Sequence, residues 1–124
     1  MEFRGQTAAD PFGNTNEIVE HRIHPRYKIE VDMRVYPRNK DVVQGYTVDL
    51  SESGVSGMFR VEVPVGEIVR LEFSLPRGEV EVLALVRQRQ AFRYGFQFVE
   101  FASAEGLIGQ TCRELAAKPF AQNP

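Results

Sequence analysis

Between Tyr27 and Phe101 the chain repeats one pattern: short runs in which apolar and polar residues alternate, separated by clusters of turn-forming residues. Successive side chains of a strand point to opposite faces, so such runs read as half-buried β-strands and not as helices. The first run places Ile29, Val31, Met33 and Val35 on one face and Glu30, Asp32 and Arg34 on the other. Pro37 to Asp41 is a turn by composition, and Tyr46, Val48 and Leu50 then read as the inner face of a second strand, which the loop Ser51 to Gly54 ends. A third strand is expected over Val55 to Val63, closed by Pro64-Val65-Gly66. The fourth buries Val69, Leu71, Phe73 and Leu75 before Pro76-Arg77-Gly78 turns the chain. Val80, Val82, Ala84 and Val86 mark the fifth, over Glu79 to Arg89, and Tyr94, Phe96 and Phe98 the sixth, over Phe92 to Phe101. Six consecutive short strands predict a mainly β fold, an antiparallel sheet or barrel.

After Phe101 the period changes. Leu107, Ile108, Thr111, Cys112 and Leu115 share one face of a 3.6-residue helix, with Ser103 as its expected N-cap and Pro119 as its stop. Cys112 therefore reads as a small core residue. Residues 1–20 show little periodicity and read as a flexible tail, residues 21–118 as one domain, and residues 119–124 as a short C-terminal tail.

Composition bounds the function. A chain of 124 residues with 43% hydrophobic and 26% charged residues is that of one soluble domain with a core of its own. A net charge of -2 argues against general binding to DNA or RNA, which needs a basic face. With one cysteine, no intramolecular disulfide and no thiolate metal cluster can form, which fits a reducing, cytoplasmic setting. The first residues show no apolar core of signal-peptide length and no apolar run is long enough to span a membrane, so neither secretion nor membrane insertion is expected.

Two constellations stand out. His21-Arg22-Ile23-His24-Pro25-Arg26-Tyr27-Lys28 is a basic island without an acid, just before the first strand. Pro25 biases His24 toward an extended conformation, so Arg22 and Arg26 are offered on an open segment. Their planar forks suit phosphates and the O6 and N7 acceptors of guanine. The second is Asp49-Leu50-Ser51-Glu52-Ser53-Gly54, at the end of strand two. With Leu50 inside, Asp49 and Ser51 are expected to face outward together. A carboxylate accepts from the N–H groups of guanine's Watson–Crick edge, Ser51 can donate or accept, and Gly54 permits a sharp backbone. Taken separately, a solvated surface run and an ordinary strand-to-strand turn account for the two segments better than a binding site does.

Together, in this order and at these places, Arg22-x-x-x-Arg26 and Asp49-x-Ser51-x-x-Gly54 resemble the signature of the PilZ-domain family. The likeness extends to Pro25, to Tyr94-Gly95-Phe96-Gln97-Phe98 and to the C-terminal helix, and covers roughly residues 20 to 117. The resemblance implies a six-stranded antiparallel PilZ-type β-barrel with a C-terminal α-helix, and cyclic di-GMP as ligand. Arg22 and Arg26 would grip phosphates and guanine edges, while Asp49, Ser51 and Gly54 cradle one guanine. His21 stands where some relatives carry a third arginine, and is a possible further contact. The implied function is that of a receptor that does no chemistry, changes the order of its N-terminal segment on binding, and signals to an unidentified effector protein. The alternative is a nucleotide-free adaptor on the same barrel. An enzyme would need Cys112 as nucleophile, and His21 and His24 lack a third ligand for a metal, so neither a catalytic nor a metal site is expected.

Overall fold

The computed structural model describes residues 24–118. The expected tails, residues 1–20 and 119–124, lie outside the described residues. Seven strands precede one helix: β1 (Tyr27–Lys28), β2 (Asp32–Tyr36), β3 (Val43–Leu50), β4 (Gly54–Phe59), β5 (Ile68–Leu75), β6 (Gly78–Gln90), β7 (Arg93–Glu100) and α1 (Glu105–Ala117). Every pairing is antiparallel, in the order β1-β3-β2-β5-β6-β7-β4, and β3 also pairs with β4, which closes the sheet. β1 and β2 lie along the same edge of β3 and are two halves of one interrupted strand, so the closed form is the expected six-stranded barrel with a C-terminal helix.

Alternation fills the interior. Met33, Val35, Leu71, Phe73, Val80, Ala84, Val86, Tyr94 and Phe96 are all buried on the inner face, with Phe59 edge-on to both Tyr94 and Phe96. Outside, polar residues take over: Arg34 bridges Glu72 and Glu79, and Tyr36 donates to Glu72. These two hydrogen bonds, from Tyr36 foremost and from Arg34, hold the Glu72 carboxyl below its ordinary range.

Three expectations need correcting. Tyr46 is not on the inner face; it is 44% exposed, while Val43, Thr47 and Leu50 are buried. The pairing of β3 with β4 slips by one residue between Thr47 and Asp49, so Val48 is the extra residue of a β-bulge and the in-out alternation changes parity there. The third strand ends at Phe59, not Val63. Val63 is buried and its N–H donates to the Tyr94 hydroxyl at 3.1 Å, which replaces a ladder bond. Finally, Ser103 does not cap the helix. A turn from Phe101 to Ala104 delays its start, and Ala104, which is buried, takes the N-cap position without a side-chain hydrogen bond.

The interruption between β1 and β2 is satisfied by Thr47. Glu30 and Val31 together oppose this one residue, whose hydroxyl accepts from the Val31 N–H at 2.9 Å and donates to the Ile29 carbonyl. Thr47 is 1% exposed, so water cannot replace these bonds. β1, which follows Arg26 directly, is thereby fixed against β3, with Tyr27 paired with Leu50 and Lys28 with Asp49. Thr47→Val keeps the shape and removes the hydroxyl, and urea unfolding should show a loss of about 1–3 kcal/mol.

Candidate functional site

An open hollow of about 460 Å³ lies on the outer surface of the barrel, and Arg26, Asp49, Ser51 and Gly54 all line it. Two segments that are 23 residues apart in sequence, Arg26 and Asp49, meet there because β1 pairs with the end of β3. His24 also lines the hollow, whereas Arg22 and His21 lie outside the described residues.

Asp49 is the one carboxylate among the described lining residues. The bulge at Val48 brings it opposite Ser56 on β4, whose hydroxyl donates to Oδ1 at 2.7 Å. The guanidinium of Arg93 on β7 donates to Oδ2 at 2.7 Å. The carboxylate side chain is only 14% exposed, so its orientation is set by the strands beneath it. Two bonds leave further lone pairs, since an ionised carboxylate offers about four acceptor sites.

Ser51 is used differently from expectation. It is buried, and its Oγ accepts from the N–H groups of Ser53 at 3.2 Å and Gly54 at 3.1 Å. It also donates toward the Gly54 carbonyl at 3.3 Å. The hydroxyl therefore shapes the β3–β4 turn beside Asp49. Gly54 owes its place to close approach: a Cβ there would stand 2.4 Å from the Phe96 carbonyl oxygen. The backbones of β4 and β7 could not pair at this register with a side chain present.

Sequence reasoning missed the far half of the hollow, formed by Arg87, Gln88, Gly95, Gln97 and Arg93. Ser56, Gly95 and Gln88 lie in one row across β4, β7 and β6, next to Asp49. Gly95 leaves the floor as bare backbone. One signal was present: apolar alternation stops at Val86, and β6 continues as Arg87-Gln88-Arg89-Gln90, exposed on both faces. A strand of 13 residues whose last four are polar extends beyond the core it serves. Among the described residues the hollow thus holds three guanidinium groups against one carboxylate, in a protein of net charge -2. Such an arrangement attracts anions locally.

Cys112 is 2% exposed. Burial, with a smaller contribution from the charge of Glu52, pushes its thiol up to about 11. It is a protonated packing group at neutral pH. Among the described residues no three His, Cys, Asp or Glu side chains come together as a metal site, and no helix is long and apolar enough to cross a membrane.

The PilZ domain family model matches residues 20–113. No curated protein sequence matches the chain. Among solved structures, it is similar to the Bacillus subtilis inhibitor of motility (MotI/DgrA), at 19% identity and a TM-score of 0.64, over 77% of this chain and 52% of that one. The PilZ domain of CeSA from a cellulose-synthesizing bacterium aligns at 18% identity and a TM-score of 0.60, over 74% of this chain and 98% of that one. The PilZ domain of YcgR from Escherichia coli, solved with c-di-GMP, aligns at 13% identity and a TM-score of 0.63, over 75% and 89%. At these identities the likeness shows the shared fold. The chain spans about half of the first relative, 52%, and nearly all of the other two.

Two measurements check this geometry. Gly54→Ala must push β4 from β7 and should cost about 1–3 kcal/mol in denaturant unfolding, while Ser53→Ala, on the exposed side of the turn, stays within about 0.5 kcal/mol of wild type. A thiol reagent at pH 8 should label Cys112 only after denaturation, since the native thiol is both covered and protonated.

Proposed function

This chain belongs to the PilZ domain family, and from that premise we propose that it is a receptor for cyclic di-GMP that carries out no chemistry of its own. The observation that carries the reading is the convergence of Arg26 with Asp49 and the Ser51–Gly54 turn on one hollow, with Arg22 four residues before Arg26.

In this reading the free acceptor sites of Asp49 take the N1–H and N2–H donors of one guanine. Arg26 and Arg22 bind its O6 and N7 acceptors and the adjoining phosphate, for which a planar fork with two parallel donors is suited. Ser51 contributes indirectly, by holding the turn at which the base is seated. The structural neighbour from Escherichia coli that was solved with c-di-GMP supports the choice of ligand. The ligand would bridge the basic segment to the barrel face and so change the order of residues about 15 to 26, presenting a new surface to an effector protein in the cytoplasm.

Titration calorimetry with cyclic di-GMP, with GTP as control, tests the proposal. We expect micromolar or tighter binding to the wild type, weakened at least about tenfold by Arg26→Ala, Arg22→Ala or Asp49→Ala, and no heat with GTP. A folded wild type that gives no heat with cyclic di-GMP would overturn the receptor reading in favour of a nucleotide-free adaptor. Amide exchange should slow in residues about 15 to 26 on binding; equal exchange with and without ligand would remove the order change from the mechanism.

A further inference from the structure

If the hollow is a nucleotide site, Arg26 and Asp49 account for only one side of it. Arg26 precedes β1 and Asp49 ends β3, whereas Arg87 stands on β6, three strand spacings beyond Asp49. At sheet spacing that is about 14 Å. A single nucleotide seated between Arg26 and Asp49 leaves this far wall empty.

The far wall is built, and not simply a solvated run. The pairing of β6 with β7 slips between Val86 and Gln88, which makes Arg87 the extra residue of a second β-bulge. Strict alternation would turn either Arg87 or Gln88 into the core. The bulge exposes both, and both line the hollow. The Arg87 guanidinium donates to the Gln97 carboxamide oxygen at 2.5 Å, and among the described residues no carboxylate lies within ion-pair distance of it. Among the described residues its charge is thus oriented by a neutral partner. Arg93, on the same side of β7 as Gly95, reaches across to Asp49 and Ser56. The Arg93–Asp49 pair is partly open, at 45% and 14% side-chain exposure. The Arg93 side of the pair is open to solvent, so an incoming anion can reach this guanidinium from the hollow.

The geometry points to Arg87 and Arg93 as a second anion-binding wall, which takes the phosphate-guanosine half of cyclic di-GMP that faces away from Arg26. This rests on the receptor reading and extends it to residues outside both sequence motifs. The ligand suits such a site because it carries two phosphates and two guanines, one set for each wall. Binding also relieves the mutual repulsion of the guanidinium groups gathered over the hollow.

Arg89 provides a charge-matched control. It lies on the same strand, pairs with Glu62 at 3.6 Å and approaches the Tyr94 ring, and it is not among the lining residues. Calorimetry with cyclic di-GMP on wild type, Arg87→Ala, Arg93→Ala and Arg89→Ala, each shown folded by its thermal transition, separates the possibilities. Arg87→Ala and Arg93→Ala should weaken binding about tenfold or more, and Arg89→Ala by less than about threefold. Because Arg87 does not touch Asp49, its loss cannot be attributed to a disturbed carboxylate. Wild-type affinity in Arg87→Ala, or an equal loss in Arg89→Ala, would overturn the second wall and leave the receptor reading intact. A wild type that does not bind cyclic di-GMP would overturn both.

Discussion

A sheet that closes into a barrel must pair its last two edges, and in this protein that closure is β3 against β4. The pairing does not run evenly. It slips at Val48, and the slip lets Thr47 and Leu50 both face the core while Asp49 turns to Ser56 on the outer surface. Thr47 also satisfies the broken ladder between β1 and β2. One strand therefore closes the barrel, anchors β1 and presents the carboxylate. Barrel and site share the same few backbone contacts.

The second bulge, at Arg87, repeats the device on the opposite side of the Gly95 floor. A bulge gives up regular ladder pairing and in return re-aims a side chain. The result is a division between rigid and adjustable parts. Buried bonds at Thr47 and Ser51 hold the backbone. The guanidinium groups of Arg87 and Arg93 are held at the surface by side chains alone, the neutral Gln97 and the Asp49 carboxylate, and not by the backbone. In a chain of net charge -2, this concentration of cations at one hollow gives attraction for an anion that is local to the site.

Much of the architecture was legible from alternation, because burial on one face of a strand demands a period of two. Val69 to Leu75, Val80 to Val86 and Tyr94 to Phe98 occupy the inner positions that period requires. Tyr46 was misread because a bulge changes the parity of a strand without leaving a mark on the pattern of residue types. Ser103 was misread because burial of Ala104 outweighed a side-chain cap. Arg87 and Arg93 went unnoticed as a pair for a related reason: they stand on different strands, and only the hairpin register and a bulge bring them to one surface.

By itself the sequence determined the strand count, the inner face of most strands, the terminal helix and two short polar motifs whose residue types suit a guanine nucleotide. It could do so because those features depend on neighbours in the chain, through side-chain alternation, turn chemistry and spacing. The tertiary structure alone decided which motifs meet, that Ser51 serves the turn while Asp49 stays open to solvent on one side, and that a second group of cations completes the hollow. Those outcomes depend on which strands lie edge to edge and where their register slips, and a register is set by packing and closure of the whole barrel, not by any one segment of it.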